Sequence, residues 1–192
     1  MQHPQIDWGK IAMLLNVDSV GNLSMLHQQG DHGSAKTIDI VHALLHDGKM
    51  YSHSNIHSSL AVGSEHVHVL KVSSDGYPHL LIPYLSATVT PIEIRLYESA
   101  QISSYGVEAS VYNHNRNMPN SSHITMYESS VVSSLGEALF ERSISGAGNQ
   151  SGGEYQFDDE WILVGGLTYA VGVKNLGNQV LNYSIVHKWV QP

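Results

Sequence analysis

The chain has no cysteine among its 192 residues. That removes disulfides and thiolate metal sites, and it leaves a fold indifferent to redox state, which fits assembly in a cytoplasm. Charge is scarce as well: charged residues are 14% of the chain, nine Lys and Arg against seventeen Asp and Glu, for a formal charge of −8. With so few basic residues and no run of them, phosphate-backbone binding lacks its main energy source, so nucleic acid is not an expected partner. No apolar run approaches about 18 residues, which argues against a transmembrane helix and against a membrane partner. The opening MQHPQIDWGK lacks a basic region followed by an apolar one, so no cleaved secretion signal is expected. Catalytic patterns are missing too. There is no GxSxG elbow, no HExxH, and no Lys-Ser/Thr after the Gly-rich run GAGNQSGG.

What remains is a surface built largely from Ser, Asn, Gln, Gly and His. Such groups cost less to desolvate than ions, so they suit close contact with other protein. The length is enough for one core. Residues 1–36 mix the patches IAMLL and LSML with Gly21, Gly30 and Gly33, and read as an N-terminal arm or anchoring segment, or as a short helix. The sandwich domain is expected over 37–192. Near its start Ile40, Leu44 and Leu45 share a helical face ahead of an Asp47-Gly48 turn.

From His57 onward the pattern is period two. Ile92, Ile94 and Leu96 alternate with Glu93, Arg95 and Tyr97, and Tyr169, Val171 and Val173 with Ala170, Gly172 and Lys174. Tyr183, Ile185, His187 and Trp189 alternate with Ser184, Val186 and Lys188. EHVHVLKV, HLLIPYLS, VEASVYN, ITMY, EALFERSI and WILV add further strands, for about eight to ten by this pattern matching. Turns are expected at Ser74-Asp75-Gly76, Leu135-Gly136 and Leu176-Gly177-Asn178. Many short strands without intervening helices predict an all-β antiparallel sandwich, with a jelly roll as the leading version. No internal repeat of fixed period is evident, and 145–153 reads as a Gly-rich loop.

Histidine, at 13 copies, is the residue type most able to carry chemistry. His66 and His68 lie two apart on a strand, so both leave one face and form the pair a metal would use. No Glu follows at the spacing a cupin-like site wants, and the expectation is an outward polar pair with no metal and no cofactor. His42 and His46, with Asp39 a turn earlier, share a helical face; His53 and His57 repeat that spacing outside a helix. Packing roles are expected for both pairs. The acidic group Glu154, Asp158, Asp159 and Glu160 lacks an EF-hand spacing and reads as a solvated turn. The amide-rich cluster Asn113-His114-Asn115-Arg116-Asn117 is different in kind. Amides lock loops without net charge, and one guanidinium among them suits bridging loops or subunits through up to five donors. Asn113, Asn115, Arg116 and Asn117 are therefore the candidate subunit-interface residues, and no catalytic residue is assigned.

The order of IDIVHALLHDGKMY, the strand IEIRLYE, NHNRN, EALFERSISGAGNQSGG and DEWILVGGLTYAVGVKN over about 38–189 resembles the capsid decoration (cement) proteins of tailed bacteriophages. The resemblance implies a jelly-roll sandwich without enzymatic activity. It implies a homotrimer that binds the major capsid protein between capsomers on the outer capsid surface of the virion, after assembly in the host cytoplasm. The alternative is a tail- or fibre-associated jelly roll that binds host surface glycan through Tyr-rich strands and Asn/Ser loops.

Overall fold

The computed structural model describes residues 26–27, 36–37, 40–87, 91–118, 120–144, 151–152 and 160–191. Contacts divide the chain into two compact units, Met1–Asp47 and Gly48–Pro192. In the first unit, β1 (Leu26–His27) pairs antiparallel with β2 (Lys36–Thr37), and α1 (Ile40–His46) follows where the Ile40, Leu44, Leu45 spacing predicts a helix. Asp47 N donates to Ala43 O at 2.9 Å, and Gly48 then takes a φ of 65°, a left-handed turn that glycine adopts without strain and that helices commonly end on. Residues 1–25 and 28–35 of the expected arm lie outside the described residues.

The second unit begins with β3 (Met50–Leu60), β4 (Glu65–Val72), β5 (His79–Ala87) and β6 (Ile92–Glu98). After these come β7 (Gln101–Ser104), β8 (Val107–Ala109), β9 (Tyr112–Asn113), β10 (Ile124–Glu128), β11 (Val131–Ser134) and β12 (Glu137–Ile144). The last are β13 (Ser151–Gly152), β14 (Glu160–Ile162), β15 (Thr168–Asn175) and β16 (Leu181–Val190). Sheet I has the order β12-β6-β15-β4-β10-β8; sheet II has β13-β5-β16-β3-β9, with β14 also paired to β5. All pairings are antiparallel, and the sheets pack face to face as the sandwich the alternation predicts. Sheet I contributes Leu70, Ile94, Leu96, Val171 and Val173 to the core, and sheet II contributes Tyr51, Leu80, Tyr183, Ile185 and Trp189. Trp189 stacks on Tyr51 at 6.1 Å between centroids and donates Nε1–H to Ser122 Oγ at 3.2 Å. Pro83, lacking an amide donor, sits on β5 beside a break in the β5–β16 register, where strand proline is tolerated.

The structure corrects three expectations. VEASVYN is not one strand: it breaks at Ser110-Val111, with β8 in sheet I and β9 in sheet II, so the chain changes sheets there. β3 runs eleven residues through a segment whose strand pattern was not seen, because its inward side chains include His53, Asn55 and His57 where apolar residues would have marked it. And the chain does contain a local repeat. Tyr97-Glu98-Ser99 and Tyr127-Glu128-Ser129 each lead into a short strand, a pair of serines and then Gly106 or Gly136.

The two copies fold alike. Ser99 and Ser129 both take positive φ, 60° and 57°, and each turns the chain out of sheet I. β7 and β11 then pair with each other as a separate ribbon, while β8 returns beside β10 and β12 beside β6. A Cβ at Gly106 would lie 1.8 Å from Glu128 O, and one at Gly136 would lie 2.0 Å from Glu98 O. Each glycine thus lets one copy press its backbone on the other, a local two-fold arrangement centred on sheet I. Ile102 and Leu135 of this region pack on buried Tyr97, Ala100 and Ala170 on the outer side of that sheet.

Candidate functional site

The NHNRN segment follows β9 and is tied down by its own amides. Asn113 Nδ2 donates to Gly48 O at 2.8 Å, and its Oδ1 accepts the Asn115 amide at 2.8 Å. Asn115 Oδ1 accepts the Asn117 amide at 3.1 Å, and Met118 N donates to Asn115 O at 3.1 Å. His114 N donates to Met50 O at 2.9 Å, and the His114 ring meets Ser52 Oγ at 2.9 Å. These Asx turns give a Gly-free polar loop one conformation. Arg116 is exposed, with its guanidinium carbon 5.7 Å from the centre of the exposed Tyr112 ring. Among the described residues Arg116 makes no salt bridge. A polar groove of about 530 Å3 lies alongside, lined by Glu108, Asn113, Asn115, Arg116, Asn120 and Thr125 among others.

A second cluster lies inside the sandwich. His66 and His68 project inward with Leu70 and Val72, and His68 is fully buried. This overturns the outward-facing reading: the β4 face carrying Val67 is the one under Ile102 and Leu135, so the histidines take the opposite, interior side. From sheet II, His57 comes to 4.3 Å from the His66 ring and 4.9 Å from the His68 ring, centroid to centroid. One ligand nitrogen from each of His57, His66 and His68 lies within 4.8 Å of the others. The Tyr183 hydroxyl stands 2.7 Å from His66 Nδ1 and 3.2 Å from His68 Nε2, and the Tyr183 ring stacks on His57 at 4.9 Å.

The polar seam continues. Fully buried His187 lies 5.0 Å from His68, and burial, with the charges of His53 and His57 adding, pushes it down to about 3. Burial likewise lowers His57, His66 and His68, His68 furthest, so all three are neutral imidazoles at neutral pH. Burial raises the Tyr183 phenol far above its ordinary value, keeping its proton on. His53 meets two acceptors, Ser110 O at 2.9 Å and Glu128 Oε1 at 3.0 Å, and Asn55 Nδ2 also donates to Glu128. Burial alone would raise the Glu128 carboxyl, but the Asn55 and His53 hydrogen bonds outweigh it and hold it below its ordinary value.

The remaining sequence candidates stay apart from this seam. His42 and His46 are exposed on α1 with their Nε2 atoms 2.9 Å apart, and Asp39 lies outside the described residues. So do Glu154, Asp158 and Asp159, while Glu160 pairs with His79 Nδ1 at 2.5 Å. Sequence reasoning found the HxH pair but missed His57 and Tyr183 as its neighbours. The available signal was the shared alternation of His53, Asn55 and His57 with exposed Ser54 and Ile56.

A third feature is the outer face of the β3–β16 ladder. Ser52, Ser54, Ile56 and Ser58 lie outward on β3 beside Ser184, Val186 and Lys188 on β16, in the register Ser184↔Ile56, Val186↔Ser54 and Lys188↔Ser52. Ile56 is 81% exposed. Fold and surfaces together define an antiparallel β-sandwich protein with one ribbon-covered face and one bare, nearly uncharged one among the described residues. In comparisons with known proteins, no family model and no curated protein matches the chain.

Proposed function

We propose that the chain is a non-enzymatic structural protein of a tailed-phage virion, a jelly roll that self-associates, as a trimer, and decorates and stabilises the outer capsid surface by binding the major capsid protein between capsomers. The jelly-roll reading is supported by the strand order: β3-β16-β5-β14 faces β4-β15-β6-β12, so that β3, β4, β5 and β6, and again β12, β14, β15 and β16, alternate between sheets in the manner of paired Greek keys. The observation that carries the assembly reading is the bare β3–β16 face. Of the eight outward residues described there, Asn182 included, only Lys188 is charged, and Ile56 stands out from neighbours that are mostly serine. The cores of protein interfaces are depleted in charge in this way, whereas a solvated sheet face of this size would ordinarily carry several ions.

The pre-ordered NHNRN loop supports a second contact. Because its amides already fix its backbone, binding through Arg116, Asn115 and Asn117 costs little additional ordering entropy. Cyclic symmetry repeats each contact, and avidity then adds to modest single-site affinity. The test is the mass by light scattering, alone and after mixing with capsids of the major capsid protein. A trimer that saturates capsids at a fixed ratio is the expected result, with Ile56→Lys shifting the free protein to monomer and Arg116→Ala weakening capsid uptake tenfold or more. A wild-type monomer that ignores capsids would end this reading.

The groove beside Arg116 favours one other reading, glycan binding by a tail- or fibre-associated protein. Its Asn, Ser, Thr, Glu and Arg lining offers paired donors and acceptors of the kind sugars use. Copies per particle separate the two: hundreds for a cement protein, a few tens at most for a tail part.

A further inference from the structure

The three histidines at the β3–β4 corner form an arrangement that the assembly reading does not use. One comes from sheet II and two from sheet I, and the connection between their strands is short, 61–64. Two of their ring nitrogens, His57 Nε2 and His68 Nδ1, are buried with no hydrogen-bond partner. An orphaned buried acceptor or donor is costly, so such atoms call for a ligand. The Tyr183 hydroxyl makes the shortage worse for protein partners and better for a cation. It has one proton and two lone pairs. For both rings to ligate, the Tyr183 oxygen accepts from both His66 Nδ1–H and His68 Nε2–H and turns its own proton away, which leaves the lone pairs on His66 Nε2 and on the unpartnered His68 Nδ1. Those tautomers make His66 and His68 ligands, with Tyr183 orienting the rings as hydrogen-bond partners of metal-bound histidines do.

We propose that His57, His66 and His68 bind a first-row divalent cation with a preference for imidazole, zinc or a near neighbour, and that the bound ion fastens the two sheets at the β3–β4 corner. Metal–nitrogen bonds of about 2.0–2.1 Å need tetrahedral ligand atoms about 3.4 Å apart. The nitrogens here lie within 4.8 Å, so small ring rotations bring them in. The burial that keeps the rings neutral leaves them in the form that coordinates metal. The Glu128 carboxylate, whose field reaches both His57 and His66, offsets part of the added positive charge. Three protein ligands leave a fourth position for water. In a chain without cysteine, such an ion does across the two sheets what a disulfide would otherwise do.

The experiment uses full-length protein without a histidine tag, stripped with chelator and titrated with Zn2+ or Co2+ alone. The expected result is uptake of about one equivalent, a rise in Tm, and for Co2+ the strong visible bands of a four-coordinate site with nitrogen ligands. The double substitution His66→Ala, His68→Ala abolishes those bands. His57→Asn, at a half-buried position, weakens binding tenfold or more, while a variant lacking His42 and His46 binds as wild type. No uptake by the wild type would overturn the proposal. So would uptake that survives loss of His66 and His68 or disappears with His42 and His46. Should the double variant fail to fold by circular dichroism, His57→Asn decides: unchanged Co2+ affinity and spectrum there sink the site.

Discussion

Asn175 is fully buried at the end of β15 in sheet I, yet its partners lie elsewhere. Its Nδ2 donates to Leu60 O of β3 at 3.0 Å and to Gln179 O at 2.8 Å, and its Oδ1 accepts the Gly177 amide at 2.9 Å. One side chain therefore ties the two sheets together and holds the turn that precedes β16. Truncation leaves these backbone groups unpaired in a dry setting, so Asn175→Ala is expected to cost about 2–3 kcal/mol. For a chain of this size that is roughly 5–10 °C of Tm, measurable by calorimetry. Asn175→Asp should do no better, because it removes both donors and buries a charge. Gly106 and Gly136 make the same point from backbone geometry. Alanine at either position drives a methyl group into a carbonyl oxygen of the other repeat copy, and a loss of about 2–4 kcal/mol is expected from each substitution. Equal losses in chemical denaturation would support the two-fold arrangement; a neutral Gly106→Ala would argue against it. Neither effect is legible beforehand: Asn175 is one more turn residue in the sequence, and glycine after two serines reads only as a loop.

At the scale of elements, the apolar strands were visible and the polar ones were not. β6, β15 and β16 show their inward faces as Val, Ile, Leu, Tyr and Trp at period two, and the structure places them accordingly, whereas β4 was visible as a strand with its two faces exchanged. β3 keeps the same period but fills its inward positions with Tyr51, His53, Asn55 and His57, so alternation could not be told from a polar loop. Its face is decided by pairing with β16, which sets His57 against Tyr183 and His53 against His187. The NHNRN loop is held by its own amides and by partners from far upstream, Gly48, Met50 and Ser52. Its order depends on pH in a defined direction. Burial, with the Lys188 charge adding, lowers His114 below 6.5, so the unfolded chain binds the proton more readily than the folded loop. The loop's stability is therefore complete above about 6.5 and falls as pH drops toward the folded value. Glu128, also lowered, acts next: its contribution is present above 4.5 and is lost as pH falls through its own folded value. Protection factors at Asn115, Asn117 and Met118, corrected for the intrinsic pH dependence of exchange, should fall between pH 6.5 and 5.5, ahead of global unfolding. A loop whose protection is flat over that range would mean that His114 does not hold it.

At the scale of the whole molecule, the scarcity of ions that opens the sequence reappears as a surface property. The bare β3–β16 face carries one charge, so association through it should be driven by apolar and neutral polar burial. Raising the salt from 0.1 to 1 M, which screens surface charges beyond about 3 Å, is expected to leave the mass of the proposed trimer unchanged in light scattering. Dissociation by salt would place the contact elsewhere. Composition and periodicity by themselves determined the class: an all-β antiparallel sandwich, because period-two apolar residues must bury one face and no helical stretch competes after α1. They also determined that surfaces would be neutral and polar. Tertiary structure alone decided which polar residues meet. The convergence of His57 with His66 and His68, the reciprocal seating of Gly106 and Gly136, and the bareness of one sheet face all depend on strands far apart in sequence. Pairing between sheets, which local pattern does not encode, sets those distances.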